Sequence, residues 1–308
     1  MVSPSSRRRA VKSCVEEGLG SAVQACRAID LARSSYYRPC AVSRTRRRVH
    51  KQIMALSEKH PRYGYRRITA LLRRDGLTIN PKRVQRLRRM EGIQVRQRQK
   101  RMRRLGPQEA NRLRATKARQ VWSWDFVEDQ TENGSRFRIL TLLDEFTRQS
   151  LAVHAAWSIR AVDAITVIEA AIARYGAPKH LRSDNGPEFI AYAIQDWLKE
   201  RQIKTLYIRP GSPWENGHIE SYHDKLRDEC LNRELFGTLA EAQVILESWR
   251  VEYNERRPHS ALGYQTPGEF ARRSKFGLLP ASGLLPSKLA KINPNSFYPT
   301  KQPAELHF

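Results

Sequence analysis

Residues 121–129 read VWSWDFVED, and the arrangement of the whole chain turns on that stretch. Trp122, Trp124 and Phe126 alternate with Ser123, Asp125 and Val127, a period of two, so the segment is a strand. The aromatic rings share one face and Asp125 points to the other. A carboxylate in the middle of an aromatic strand is disfavoured unless a cation or metal answers it. Asp129 shares that face but lies roughly 13 Å further on at strand rise. It cannot join Asp125 in one metal site without a bend, so Asp129 and Glu128 read as strand-end solvation.

Downstream, TENGSR carries Asn133-Gly134, a strong hairpin signal. FRILTLLDEF and SLAVHAAW are the next two strands. AVDAITVIEAAIARYG is an amphipathic helix with a glycine stop, and PKHLRSDN is a short strand. PEFIAYAIQDWLKERQ is a helix, IKTLYI a strand, and GHIESYHDKLRDECLN and TLAEAQVILESWRVEYNERR are helices. Three antiparallel strands followed by alternating helix and strand make a mixed α/β sheet of the ribonuclease H-like type. Beyond Arg273 the periodicity fades and prolines recur, the pattern of a mobile tail.

Upstream, the composition changes. Residues 1–119 hold 33 Lys and Arg against 7 Asp and Glu, a net of +26, whereas residues 120–308 hold 23 against 24. A half this basic meets nucleic acid, because each neutralised phosphate releases counterions. A merely solvated basic surface is the lesser reading, since helical periodicity runs through the region. RRRAVKSCVEEG and GSAVQACRAI are helices, the second capped by Ser21. A short helix bearing Arg33 follows, as in a helix-turn-helix. Val49, Ile53 and Leu56 form an apolar stripe in the next helix, and Ile68, Leu71 and Leu72 in the one after. In NPKRVQRLRRMEGI, Asn80 caps and Pro81 opens the helix. Val84, Leu87 and Met90 face inward there, and Lys82, Arg83, Arg86, Arg88 and Arg89 cover the rest. The DNA-contact candidates of the basic half are Arg33, Arg62, Arg66, Arg67, Lys82, Arg83 and Arg86. Residues 96–119 are a charged linker.

The organisation expected is a helix-turn-helix-like unit at 1–40, a second helical DNA-binding unit at 41–95, the basic linker at 96–119, the catalytic core with its C-terminal helices at 120–273, and the tail at 274–308. Cys14, Cys26, Cys40 and Cys230 form no CxxC pair, which argues against a zinc knuckle; reduced thiols in a cytoplasmic protein are expected. No apolar run is long enough to span a bilayer, so no membrane partner is expected. The basic start lacks the apolar core of a secretory signal.

Two further carboxylates stand out. Asp184 follows a short apolar strand, where α/β sheets place functional groups. Taken alone it is an Asx-turn initiator before Asn185-Gly186. Glu220 lies 35 intervening residues later, and taken alone it is a solvent-facing helix residue. Their joint occurrence with Asp125, each where one sheet could gather them, lifts all three. Three such carboxylates suit two Mg²⁺ ions about 3.5–4 Å apart at a phosphodiester, with water or a DNA 3′-hydroxyl as nucleophile.

HPRYGYRRI, NPKRVQRLRRMEGI, WSWDFVED, FRILTLLDEFTR, RSDNGPEF, SPWENGHIESYHDKLRDEC and YNERRPHSALGYQTPGEF together resemble the second-frame (OrfB-like) transposases of insertion sequence family 3, within the DDE retroviral-integrase superfamily. The resemblance covers roughly residues 7–273. It implies Asp125, Asp184 and Glu220 as catalytic and metal-binding residues. It also places a basic residue seven positions after the Glu, at Arg227, which two helical turns bring onto the same face; Lys225 is the rival for that DNA-phosphate contact. The resemblance implies Mg²⁺, with Mn²⁺ as substitute. It implies cleavage at terminal inverted repeats and joining of the freed 3′-hydroxyl to a phosphodiester. A homo-multimer, an upstream-frame DNA-binding partner and a place at the bacterial nucleoid go with it. The zinc module of retroviral integrases has no counterpart here. The alternatives are a DNA-binding regulator with an inert integrase-like domain, and a plain nuclease of the same fold.

Overall fold

The computed structural model describes residues 4–37, 44–95, 113–184, 186, 192–208 and 216–275. Residues 96–112 of the expected linker and 276–308 of the expected tail lie outside them. The chain divides into two compact units at Ala55 and Leu56, inside helix α4 (Arg44–Lys59).

The first unit holds α1 (Pro4–Glu16), α2 (Ala22–Ala28) and α3 (Arg33–Tyr37). Ser21 starts α2 as its position indicates. Its Oγ accepts from Gln24 N at 3.3 Å while Ser21 N donates to Gln24 Oε1 at 2.9 Å, a reciprocal capping box. Val11, Ala25, Cys26 and Leu31 form the small core beneath, and Arg33 is exposed.

The second unit begins with two short helices, α5 (Tyr65–Arg74) and α6 (Pro81–Met90). Asn80 Oδ1 accepts from Lys82 N at 2.9 Å, with Pro81 at the first helical position. The inward stripe of α6 differs from expectation. Met90 is 73% exposed, and Arg88, expected outside, is buried. The stripe runs from Val84 to Arg88, one turn on. Arg88 buries its alkyl stem and its Nη1 donates to the Tyr63 carbonyl at 2.6 Å, satisfying a buried acceptor.

Among the described residues five strands follow: β1 (Val121–Gln130), β2 (Arg136–Asp144), β3 (Ser150–Ala156), β4 (His180–Ser183) and β5 (Lys204–Tyr207). Their order across the sheet is β3-β2-β1-β4-β5. β1, β2 and β3 pair antiparallel, and β4 joins parallel to both β1 and β5. This is the mixed ribonuclease H-like sheet, with β1 at its centre. The turn between β1 and β2 needs a left-handed residue, supplied by Gly134 at φ +82°.

Both faces of the sheet are covered. Trp122, Trp124, Leu140 and Leu142 pack against α7 (Ala161–Tyr175) and α8 (Tyr192–Glu200) through Ile168 and Trp197. Each of the two strand tryptophans takes on the order of 200 Å² out of water. At about 25 cal/mol per Å² that is at most about 5 kcal/mol apiece. On the other face Val127, Phe137 and Ile139 meet α9 (Gly217–Leu226) and α10 (Leu239–Glu255) through Leu226 and Leu246. α11 (Pro267–Lys275) follows.

The segment GHIESYHDKLRDECLN is not one α-helix throughout. It widens into a π-helical turn over Arg227–Leu231. A π turn inserts a residue into the helical repeat and re-aims the side chains beyond it. Here it keeps Leu226, Cys230 and Leu231 in the core, and sends Asp228 toward Arg62, just before α5, and Glu229 toward Arg67 on it.

After α10, His259 packs edge-on to Tyr253, with ring centroids 6.4 Å apart. Burial, then the charges of Arg257, Arg148, Arg67 and Lys225, push its pKa down to about 3. The unfolded chain therefore binds a proton at His259 that the folded chain refuses between pH 6.5 and about 3. Stability falls as pH falls through that window, by at most about 1.4 kcal/mol per pH unit. Urea midpoints at pH 7.5 and 5.0 should differ accordingly, and His259→Gln should flatten the difference; an unchanged pH slope in the variant counts against this.

Candidate active site

Asp125 sits mid-strand on β1, half-buried on the α9 side of the sheet. Its Oδ1 accepts from Phe126 N at 2.8 Å. Asp184 follows the strand beside it. Trp122 pairs with Leu181 and Ser123 with Arg182, where the pairing of β1 with β4 ends. Asp125 and Asp184 each lie two residues beyond that last pair, along neighbouring strands. Asp184 is exposed just past β4, and its Oδ1 accepts from Gly186 N at 3.0 Å. The Asx turn that Asp184 could make alone is therefore present.

Glu220 is exposed in the first turn of α9. One turn later on that helix, His223 reaches the sheet. Its Nδ1 lies 3.8 Å from Asp125 Oδ2, and its Nε2 lies 2.8 Å from Thr141 Oγ1. Thr141, directly opposite Asp125 on β2, donates its hydroxyl proton to the Asp125 carbonyl at 2.9 Å. Burial, then the charge of Arg227, lowers the His223 pKa to about 4, so the ring is neutral near pH 7. His223 was not among the residues singled out from the sequence. The available signal was its position three residues after Glu220, on the same helix face; its partner Thr141 carries no sequence signal.

Beneath the two aspartates, on the same face, lies a buried ion pair. Arg182 Nε is 2.9 Å from Glu145 Oε1, with side chains 5% and 1% exposed. Ser123 Oγ also donates to that carboxylate. The pair is neutral overall and leaves the aspartates as the local negative charge. Asp144, another buried carboxylate, is structural. It accepts from Arg119 N, Phe146 N and Thr147 N, and burial raises its pKa.

Arg227 is exposed where α9 becomes the π turn, and its Nη2 reaches the Glu128 carbonyl at 3.4 Å. Lys225 turns to another side, where its Nζ donates to Ser221 Oγ at 2.6 Å and burial lowers its pKa. Among the other expected DNA contacts, Lys82 and Arg86 are exposed and Arg83 is half-buried on α6. Arg66 is exposed and bonds Tyr65. Arg62 and Arg67 make contacts not foreseen. Arg62 pairs with Asp228, and Arg67 pairs with Glu229 at 3.2 Å while lying over the Tyr63 ring. The π turn is the reason: it aims Asp228 at the residues just before α5 and Glu229 at α5 itself.

Hard carboxylate oxygens suit a hard divalent cation, so the donor set of Asp125, Asp184 and Glu220 fits Mg²⁺ or Mn²⁺ by its chemistry. Among the described residues, no three His, Cys, Asp or Glu side chains are drawn closely enough together to hold an ion. No described helix is long and apolar enough to cross a membrane.

Comparison with known proteins gives the family. An HTH-like domain model matches residues 44–101, and two integrase core domain models match 115–213 and 201–267. An uncharacterized protein of insertion element IS407 from Burkholderia multivorans is 37% identical over 252 residues, 82% of this chain and 91% of that protein. An uncharacterized protein of insertion element IS476 from Xanthomonas euvesicatoria is 34% identical, over 88% of this chain and 78% of that one. The putative transposase InsK of IS150 from Escherichia coli is 28% identical, over 80% and 92%. The chain belongs to the insertion-element transposases that carry an HTH-like domain and an integrase core, of the second-frame type of insertion sequence family 3.

Proposed function

We propose that this transposase cuts DNA at the terminal inverted repeats of its element and joins the freed 3′-hydroxyl to another phosphodiester, with Asp125, Asp184 and Glu220 as the catalytic carboxylates. The observation that carries the reading is the strand register. Its last pair is Ser123 with Arg182, and Asp125 and Asp184 each follow two residues beyond it along neighbouring strands, while His223, one turn from Glu220, lies 3.8 Å from Asp125. Those three side chains would hold two Mg²⁺ ions, or Mn²⁺ in their place. Ions held there activate the attacking oxygen and stabilise the leaving one. The carboxylates hold and orient; none needs to act as nucleophile, because water or a DNA 3′-hydroxyl attacks phosphorus. Arg227, exposed and two turns from Glu220, would take a phosphate of the bound strand. Arg33, Arg66, Lys82, Arg83 and Arg86 would add backbone contacts from the helical units. Two ends must be held together, which calls for a multimer, and an upstream-frame DNA-binding protein is the expected partner.

The test uses purified protein, with and without the upstream-frame partner, a labelled inverted-repeat duplex, and Mg²⁺ or Mn²⁺. Nicking at the element end and strand joining are expected. DNA binding without metal-dependent cleavage, partner included, would falsify the proposal and leave the regulator reading. Arg227→Ala should reduce the slope of log affinity against log salt by about one unit. Titrating salt in a binding assay checks this; an unchanged slope removes Arg227 from the phosphate contacts.

A further inference from the structure

We infer that His223 supplies a nitrogen ligand to the divalent cation held by Asp125, making the site a mixed oxygen and nitrogen donor set rather than a purely carboxylate one. The inference rests on the metal site proposed above and adds a ligand to it.

The hydrogen-bond chain decides which ring nitrogen carries the proton. Thr141 Oγ1 is 2.9 Å from the Asp125 carbonyl and 2.8 Å from His223 Nε2. A carbonyl only accepts, so the single hydroxyl proton goes to it. The hydroxyl oxygen must then accept from His223, which places the imidazole proton on Nε2. The lone pair of the neutral ring is left on Nδ1, and Nδ1 faces Asp125 Oδ2 at 3.8 Å.

Two acceptors face each other across that gap. The separation is too long for a hydrogen bond. Bonds of about 2.1 Å meeting at the right angle of an octahedral ion would set the two donors about 3 Å apart, so a shift of under about 1 Å would bring both onto one cation. The surroundings match what a ligating histidine needs. Its other ring nitrogen is anchored by a donated hydrogen bond, which sets tautomer and ring plane. Thr141 is fully buried and the His223 side chain is 14% exposed, so the ring is held. The same face of α9 carries His223 and Glu220, so one helix presents both. Thr141 is then a positioning residue, tying the Asp125 backbone and the His223 ring to one hydroxyl.

A nitrogen ligand changes metal preference. Mn²⁺ accepts imidazole more readily than Mg²⁺, which favours oxygen. The site should therefore hold Mn²⁺ more tightly, relative to Mg²⁺, than three carboxylates alone would.

The experiment is pulsed electron paramagnetic resonance on Mn²⁺ bound to the full-length protein with an inverted-repeat duplex. Native protein and protein labelled with ¹⁵N-histidine are compared, and His223→Gln and Thr141→Val are measured beside them. A histidine nitrogen coupling is expected in the native protein, absent in His223→Gln and weakened in Thr141→Val. His223→Gln should lower Mn²⁺ affinity by about tenfold or more, the scale reached when a ligand-orienting partner is lost, and Mg²⁺ affinity by less. Bound Mn²⁺ that is lost in Asp125→Asn but shows no histidine coupling in the native protein overturns the inference and leaves the carboxylate site standing. Failure of Mn²⁺ to bind at all overturns both.

Discussion

Asp184→Asn and Glu220→Gln should each lower metal-dependent nicking and joining by on the order of 10³-fold, the scale of losing one electrostatic stabiliser of a transition state. DNA affinity should hold. Both changes keep volume and remove charge, and both residues are exposed, so the fold should tolerate them. Asp184→Asn is the sharper of the two. The Asx turn from Asp184 Oδ1 to Gly186 N survives the substitution, because an asparagine carbonyl oxygen accepts that bond equally well. Lost activity then reports the missing charge and not a collapsed turn. Asp125→Asn should behave the same way. Its Oδ1 bond to Phe126 N is likewise available to an amide oxygen. Cleavage and joining assays on the inverted-repeat duplex, paired with a binding assay, check all three; retention of activity to within about tenfold for any of them removes that residue from the catalytic set.

Glu229→Gln should cost about 3–5 kcal/mol of stability, the range for breaking a buried ion pair from one side. Glu229 leaves the π turn and accepts from Arg257 at 2.6 Å and 2.5 Å, a two-pronged contact, and from Arg67 at 3.2 Å. Arg257 is 1% exposed and lies over the Tyr63 and Tyr253 rings. Removing the one carboxylate leaves two guanidinium groups facing each other in a desolvated place. Burial and the neighbouring Arg257 already lower the Arg67 pKa, and the loss of Glu229 would add to that strain. Replacing the whole cluster, Glu229→Met with Arg257→Met and Arg67→Met, should cost less than the single change, since an apolar set leaves no stranded charge. Denaturant midpoints by circular dichroism measure both variants. A single-variant loss under about 1 kcal/mol would mean that solvent reaches the cluster. Because Glu229 ties α5 to the turn that continues α9, the same variant should also loosen the helices of residues 65–90 from the sheet.

How far the residues alone reach is clearest on β1. The alternation of VWSWDFVED assigned the aromatic rings to one face and Asp125 to the other, and Trp122 and Trp124 do pack together under α7 and α8 while Asp125 lies under α9. Ser21 and Asn80 were legible as caps because a cap is a contact between neighbours in sequence. The reading failed where a distant partner decides. Met90 and Arg88 exchanged places because the carbonyl that Arg88 satisfies belongs to Tyr63, 25 residues away. The helix after Glu220 widened into a π turn because Leu226, Cys230 and Leu231 all had to meet the core.

Element order and the three candidate carboxylates were legible in the residues, since local periodicity, turn chemistry and family motifs are carried by short stretches. The central place of β1 and the relation among the carboxylates came with the folded sheet. β1 and β4 lie about 60 residues apart in the chain, and nothing local states their pairing; the register that leaves Asp125 and Asp184 each two residues beyond the Ser123–Arg182 pair exists only once the sheet forms. His223 belongs to that second class, because a histidine becomes a candidate ligand only when a hydroxyl from another strand fixes its tautomer and aims its lone pair.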